Sequence, residues 1–143
     1  VIATMLGTKG LKAVVLETYG SGNAPRKEWF IRRLCQASAQ GIVIVNVTQC
    51  NAGMVEMERY ETGYQLLQAG VVSGYDSTTE SAVTKLMFLL GHGYTPDEVR
   101  DRMNRSIAGE SLYKDLLFNA LNRFYPNLFC ALNKLCLIKY YTK

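Results

Sequence analysis

Apolar and polar positions alternate in short blocks over the first 110 residues, strand-like runs giving way to helix-like ones. That rhythm is the mark of a parallel α/β layer. Lys12-Ala-Val-Val-Leu-Glu17 reads as a strand, and Gly20, Ser21 and Gly22 follow it closely. From Pro25 to Ala39 the residues Trp29, Phe30, Leu34 and Cys35 fall on helical spacing with charges opposite, and Gly41 ends the run. Ile42-Val-Ile-Val-Asn-Val47 is the clearest strand, its nearly unbroken apolar run predicting burial on both faces. A polar loop over 51–61 carries Met54 and Met57. A short helix spans Gly63–Ala69, and Val71-Val72 forms a brief strand. Two helices follow, over 78–91 and 96–106. Ser77-Thr-Thr-Glu80 and Thr95-Pro96-Asp97-Glu98 each spell a capping box at their starts. The expected fold is α/β, a small three-layer domain with a short parallel sheet flanked by helices.

From Ser111 the pattern changes: 20 of the last 33 residues are apolar or aromatic, and the glycines vanish. Leu112, Leu116, Leu117, Leu121 and Phe124 approximate a helical face that Pro126 interrupts. The domain is therefore expected to cover 1–110 and a helical extension 111–143. Charge divides at the same point. Residues 1–110 carry 11 basic and 11 acidic side chains, and the tail supplies the whole net charge of +4. A neutral body argues against a nucleic-acid partner. No apolar run is long enough to span a membrane, and four asparagines break the tail's apolar surface, so no membrane partner is expected. The N-terminus shows no secretory signal pattern. Val1–Leu6 reads as the end of a helix already under way, which predicts a piece of a longer protein.

The four cysteines form no CxxC pair and lie at no metal-ligand spacing, so unpaired thiols and no metal are expected. The most informative segment is Tyr19–Pro25, between strand and helix, where parallel sheets place ligands. A dinucleotide fingerprint would need a third glycine where Pro25 stands. Two further readings of Asn23 stay open: a cap for the following helix, or a side chain facing a ligand. Thr48-Gln49-Cys50 lies at the end of the best strand. A cysteine nucleophile there would need a base, and His92 is the only histidine, set between two glycines in a helix-ending turn. Asp76, Glu80 and Asp97 read as helix-start residues, and Met54, Met57 and Met87 as packing.

Taken together, Lys12-Ala-Val-Val-Leu-Glu-Thr-Tyr-Gly-Ser-Gly-Asn-Ala-Pro25, Gly41-Ile-Val-Ile-Val-Asn-Val-Thr-Gln-Cys50, Tyr60-Glu-Thr-Gly63, Ala69-Gly-Val-Val72 and Asp76-Ser-Thr-Thr-Glu-Ser-Ala-Val-Thr-Lys-Leu86 are similar to the C-terminal domain of type I, cytoplasmic bacterial L-asparaginases. The resemblance implies a two-domain amidohydrolase without cofactor, assembled as a dimer or tetramer, that converts L-asparagine to L-aspartate and ammonia. It places the threonine nucleophile in an N-terminal domain, within a TGGT-type motif. Gly7-Thr8-Lys9-Gly10 is not that motif, so this chain alone is expected to be inactive. The resemblance further implies that Tyr19, Gly22 and Asn23 position substrate across the dimer. It marks Glu17, Thr48, Gln49 and Cys50 as candidates for an effector asparagine site. Regulated members carry arginine where Glu17 stands, so weak or absent regulation is expected.

Overall fold

The computed structural model of the 143-residue chain describes residues 2–25, 27–50, 53–57 and 61–109. Three parallel strands, β1 (Ala13–Thr18), β2 (Val43–Thr48) and β3 (Val71–Ser73), lie in the order β1-β2-β3. Ala13 pairs with Val43 and Ile44 with Val71, so β2 is central. Its β-branched residues suit a pleated strand, and the run Val43–Val47 is wholly buried.

The helices fill two outer layers. A short α1 (Ile2–Leu6) precedes β1; α2 (Glu28–Ala39) and α3 (Glu61–Gln68) are the two crossovers. Both crossovers step across the sheet in the same direction, so the right-handed rule places α2 and α3 on one face. Phe30, Leu34 and Leu66 there pack with Ile44 and Val71. On the other face α4 (Thr79–Gly91) and α5 (Pro96–Met103) cover Val43, Val45 and Val47 with Leu86, Leu89 and Val99. The three-layer α/β expectation is confirmed. The tail expected over 111–143, with Cys130 and Cys136, lies outside the described residues.

Several local expectations shift. The helix expected from Pro25 begins at Glu28, with Lys27 as N-cap and no side-chain cap bond. Asn23 therefore does not cap it. The box expected at Ser77 does not form: Thr78 is the N-cap and its hydroxyl accepts from Ser81 N at 3.2 Å, so serine stands where the box needs its glutamate. The box at Thr95 forms as written, Glu98 Oε2 accepting from Thr95 N at 2.8 Å. Trp29, placed on the apolar face of its helix, and Met87, read as a packing residue, are 53% and 70% exposed. They stand on outward helix faces while Phe30, Leu86 and Leu89 fill the core.

The lower edge of the sheet is stapled by Arg100. Its Nη2 donates to Ser38 O at 3.0 Å, to Ser38 Oγ at 3.2 Å and to Ile42 O at 3.4 Å, so an α5 cation completes the C-terminal end of α2. At the upper edge Gly74 lies so close to β2 that a Cβ would meet Val47 Cγ1 at 2.7 Å and Asn46 O at 2.8 Å.

Candidate functional site

The loops leaving the three strands gather at the C-terminal edge of the sheet, the usual ligand side of parallel α/β layers. The first is a tight return. Tyr19 N donates to Asn23 O at 3.0 Å, and Tyr19 O accepts from Gly22 N at 2.8 Å and from Asn23 N. An antiparallel bridge joins Tyr19 and Asn23. Gly20 and Gly22 sit at φ 54° and 91°, which only glycine adopts without strain. The return is anchored to β2, since the Thr48 hydroxyl donates to Gly20 O and Gln49 N donates to Thr18 O at 2.9 Å.

This geometry presents Tyr19, Gly22 and Asn23 together. Gly22 is buried and the Tyr19 side chain exposed. Asn23 Oδ1 is buried and has no hydrogen-bond partner among the described residues. A buried carbonyl oxygen left without a donor costs about 1–3 kcal/mol.

The second group does not converge in the same way. Glu17 pairs in register with Val47, and Thr18 with Thr48. Side chains alternate along a strand, so Glu17 belongs to the α4 face and Thr48 to the α2–α3 face. Glu17 Oε1 accepts from the Thr79 hydroxyl at 2.5 Å, at the first turn of α4. That position favours an anion. Thr48 Oγ1 accepts from Cys50 N at 3.1 Å and so closes the turn that exposes Gln49 and Cys50. Glu80, in the same first turn of α4, is held below its ordinary carboxyl range by its own backbone N–H first and then by the Thr78 hydroxyl.

His92 does not accompany Cys50. The His92 cap ends α4, whose first turn lies beside Glu17. Thirteen residues of helix separate the two ends, about 20 Å, so the cysteine and the histidine stand at opposite edges of the sheet. Cys35 and Cys50 are free thiols. Among the described residues no group of three His, Cys, Asp or Glu could hold a metal ion. None of their helices is long and apolar enough to cross a membrane.

A layer of buried polar side chains beneath these loops escapes the sequence reading. Asn46 in β2 is wholly buried; its Oδ1 accepts from the Thr18 hydroxyl at 2.8 Å and its Nδ2 donates to Met57 Sδ at 3.4 Å. The Ser73 hydroxyl donates to Val55 O at 3.2 Å, and Val55 N donates to Tyr75 O at 2.9 Å. The one signal in the sequence is the single polar break in the run Ile42–Val47. A groove of about 480 Å³ also runs between α2 and α3, lined among the described residues by those two helices.

The chain resembles known proteins over this same region. Residues 1–103 match the family model described as the glutaminase/asparaginase C-terminal domain. L-asparaginase 1 of Escherichia coli (strain K12) is 44% identical over 100 residues, 70% of this chain and 30% of its own length. The 60 kDa lysophospholipase of Homo sapiens is 42% identical over 101 residues, 70% of this chain and 18% of its own. The crystal structure of L-asparaginase I from Vibrio cholerae superposes with a TM-score of 0.73 at 41% identity, covering 78% of this chain and 33% of that one. The chain thus spans about a third or less of the length of these relatives. The matched residues take in every described strand and helix, and the chain belongs to the glutaminase/asparaginase C-terminal domain family.

Proposed function

We propose that this chain is the C-terminal part of an L-asparaginase, which hydrolyses L-asparagine to L-aspartate and ammonia. Its own share is to position substrate and to make contacts between subunits. The nucleophile is supplied by an N-terminal catalytic domain, and no cofactor takes part. The observation that carries this reading is the unpartnered, buried Asn23 Oδ1 at the end of β1. It is an acceptor held rigidly by a two-glycine return, and the ammonium or amide N–H of asparagine is the donor it lacks. The relatives named L-asparaginase, one at 44% identity and solved ones at 41% and 36%, support the choice of reaction. A homodimer or homotetramer in the cytoplasm, with Tyr19 and Asn23 serving a neighbouring subunit's substrate, completes the proposal. Glu17, Thr48, Gln49 and Cys50 form the second, effector-facing part, weakened by the charge of Glu17.

Expression of the reading frame together with its upstream segment, followed by ammonia release from L-asparagine, tests this directly. The upstream segment should hold a TGGT-type block, and the 143-residue chain by itself should release nothing. Asn23→Ala in the longer protein should raise KM about tenfold, the equivalent of one hydrogen bond. A longer protein that leaves asparagine intact would refute the assignment.

A further inference from the structure

Asn46 occupies a place where another valine or isoleucine would be expected. It is central in the sheet, without solvent exposure, flanked by Val45 and Val47. Its amide donor is satisfied only modestly, since the bond to Met57 Sδ ends on a thioether, a weak acceptor. A buried polar group so partnered adds little stability that an apolar side chain of the same branching would not supply. What it adds is connection. Thr18, bonded to Asn46 Oδ1, is the last residue of β1 and leads into the Tyr19–Asn23 return. Met57, bonded to Asn46 Nδ2, lies in the segment 53–57, whose Val55 is held to Ser73 at the end of β3 and to Tyr75 just after it. One amide joins the two loops.

We propose that Asn46 is a positioning residue that fixes the Tyr19–Asn23 return and the 53–57 segment relative to each other, so that Asn23 meets substrate in a single orientation. This rests on the asparaginase reading above, but half of its test does not. In the longer protein, Asn46→Leu should leave the thermal midpoint within a few degrees and raise KM for L-asparagine about tenfold, with kcat changed less than threefold. Amide exchange at Tyr19 and Val55, whose N–H groups close the two loops, should quicken about tenfold. Thr18→Val breaks the same link from the other side, should give the same pattern, and serves where Asn46→Leu does not fold. Unchanged exchange at both amides overturns the inference even for a wild type that releases no ammonia. Faster exchange with an unchanged KM, or a parallel fall in stability and kcat, overturns it too.

Discussion

Gly70 offers a sharp test of how the lower edge of the domain is built. It follows α3 at φ 80°, and a Cβ there would lie 2.2 Å from Ser38 Oγ and 3.1 Å from Ser38 Cβ. Gly70→Ala therefore imposes two separate penalties. The left-handed conformation costs a non-glycine residue about 1–2 kcal/mol, partly offset by about 0.4–1 kcal/mol from a stiffer unfolded chain. The hydroxyl of Ser38 could rotate aside, but it accepts from Arg100 Nη2 at 3.2 Å. Losing that bond to a cation costs about 1.5 kcal/mol or somewhat more. The sum is about 2–3 kcal/mol, a thermal shift of roughly 10–20 °C for a domain of this size. In a Ser38→Ala background the second penalty is already spent, and the same glycine substitution should cost only about 1 kcal/mol. Urea denaturation followed through Trp29, the single tryptophan, on the helix that ends beside this contact, gives all four corners of the cycle. Equal costs in the two backgrounds, within about 0.5 kcal/mol, would refute the assignment of the clash to Ser38.

Two further outcomes follow from the upper and outer surfaces. The Glu98 carboxyl is lowered from its usual 4.5 by the Thr95 backbone N–H first, then by the Thr95 hydroxyl, with Arg102 adding charge attraction. A carboxyl depressed on folding contributes stability above the unfolded value and loses it as pH falls through the native one. Glu98→Gln should therefore flatten the fall of the urea midpoint below about pH 4.5; an identical acid limb in both proteins would remove the capping box as its cause. Glu17→Arg in the longer protein replaces the carboxylate at the first turn of α4 with a group that can pair bidentately with an effector's carboxylate. Asparagine titration should then turn sigmoidal, and unchanged hyperbolic kinetics would count against the effector reading of this edge.

The parts of the fold legible in the sequence are those decided by neighbours along the chain. Thr95 and Glu98 complete their box within one turn, so four residues contain the whole interaction. The buried run of β2 announces itself through uninterrupted β-branched residues. The start of α4 is different, because Ser77, Thr78 and Thr79 are equivalent as written. The choice falls on Thr78 for reasons outside the run: Ser77 N is drawn onto Gly74 O at 3.0 Å, and the Thr79 hydroxyl is taken by Glu17, 62 positions earlier. Trp29 was misplaced for a related reason, since helical spacing reports a face and not which neighbouring residue wins the core. Asn46 was hidden because its partners, Thr18 and Met57, lie 28 and 11 residues away.

The candidate site shows the same division at higher resolution. Two glycines between a strand and a helix mark the Tyr19–Asn23 return, but whether Asn23 caps the helix or stands free depends on where the helix begins. Lys27 takes the cap position, Asn23 pairs with Tyr19, and its side-chain oxygen Oδ1 has no partner among the described residues. The strand-end group Glu17, Thr48, Gln49 and Cys50 looks like one lip because all four residues stand at strand ends. The register Glu17↔Val47 and Thr18↔Thr48 divides it by parity. An acidic group serves the start of α4 on one face, and a hydroxyl braces the β1 return on the other. A ligand that engaged both would have to lie over the sheet edge and draw Glu17 away from Thr79. Charge reversal at residue 17 therefore acts on helix α4 as well as on any effector, and a regulatory response to Glu17→Arg should come with a measurable loss of protection at the α4 N-terminus.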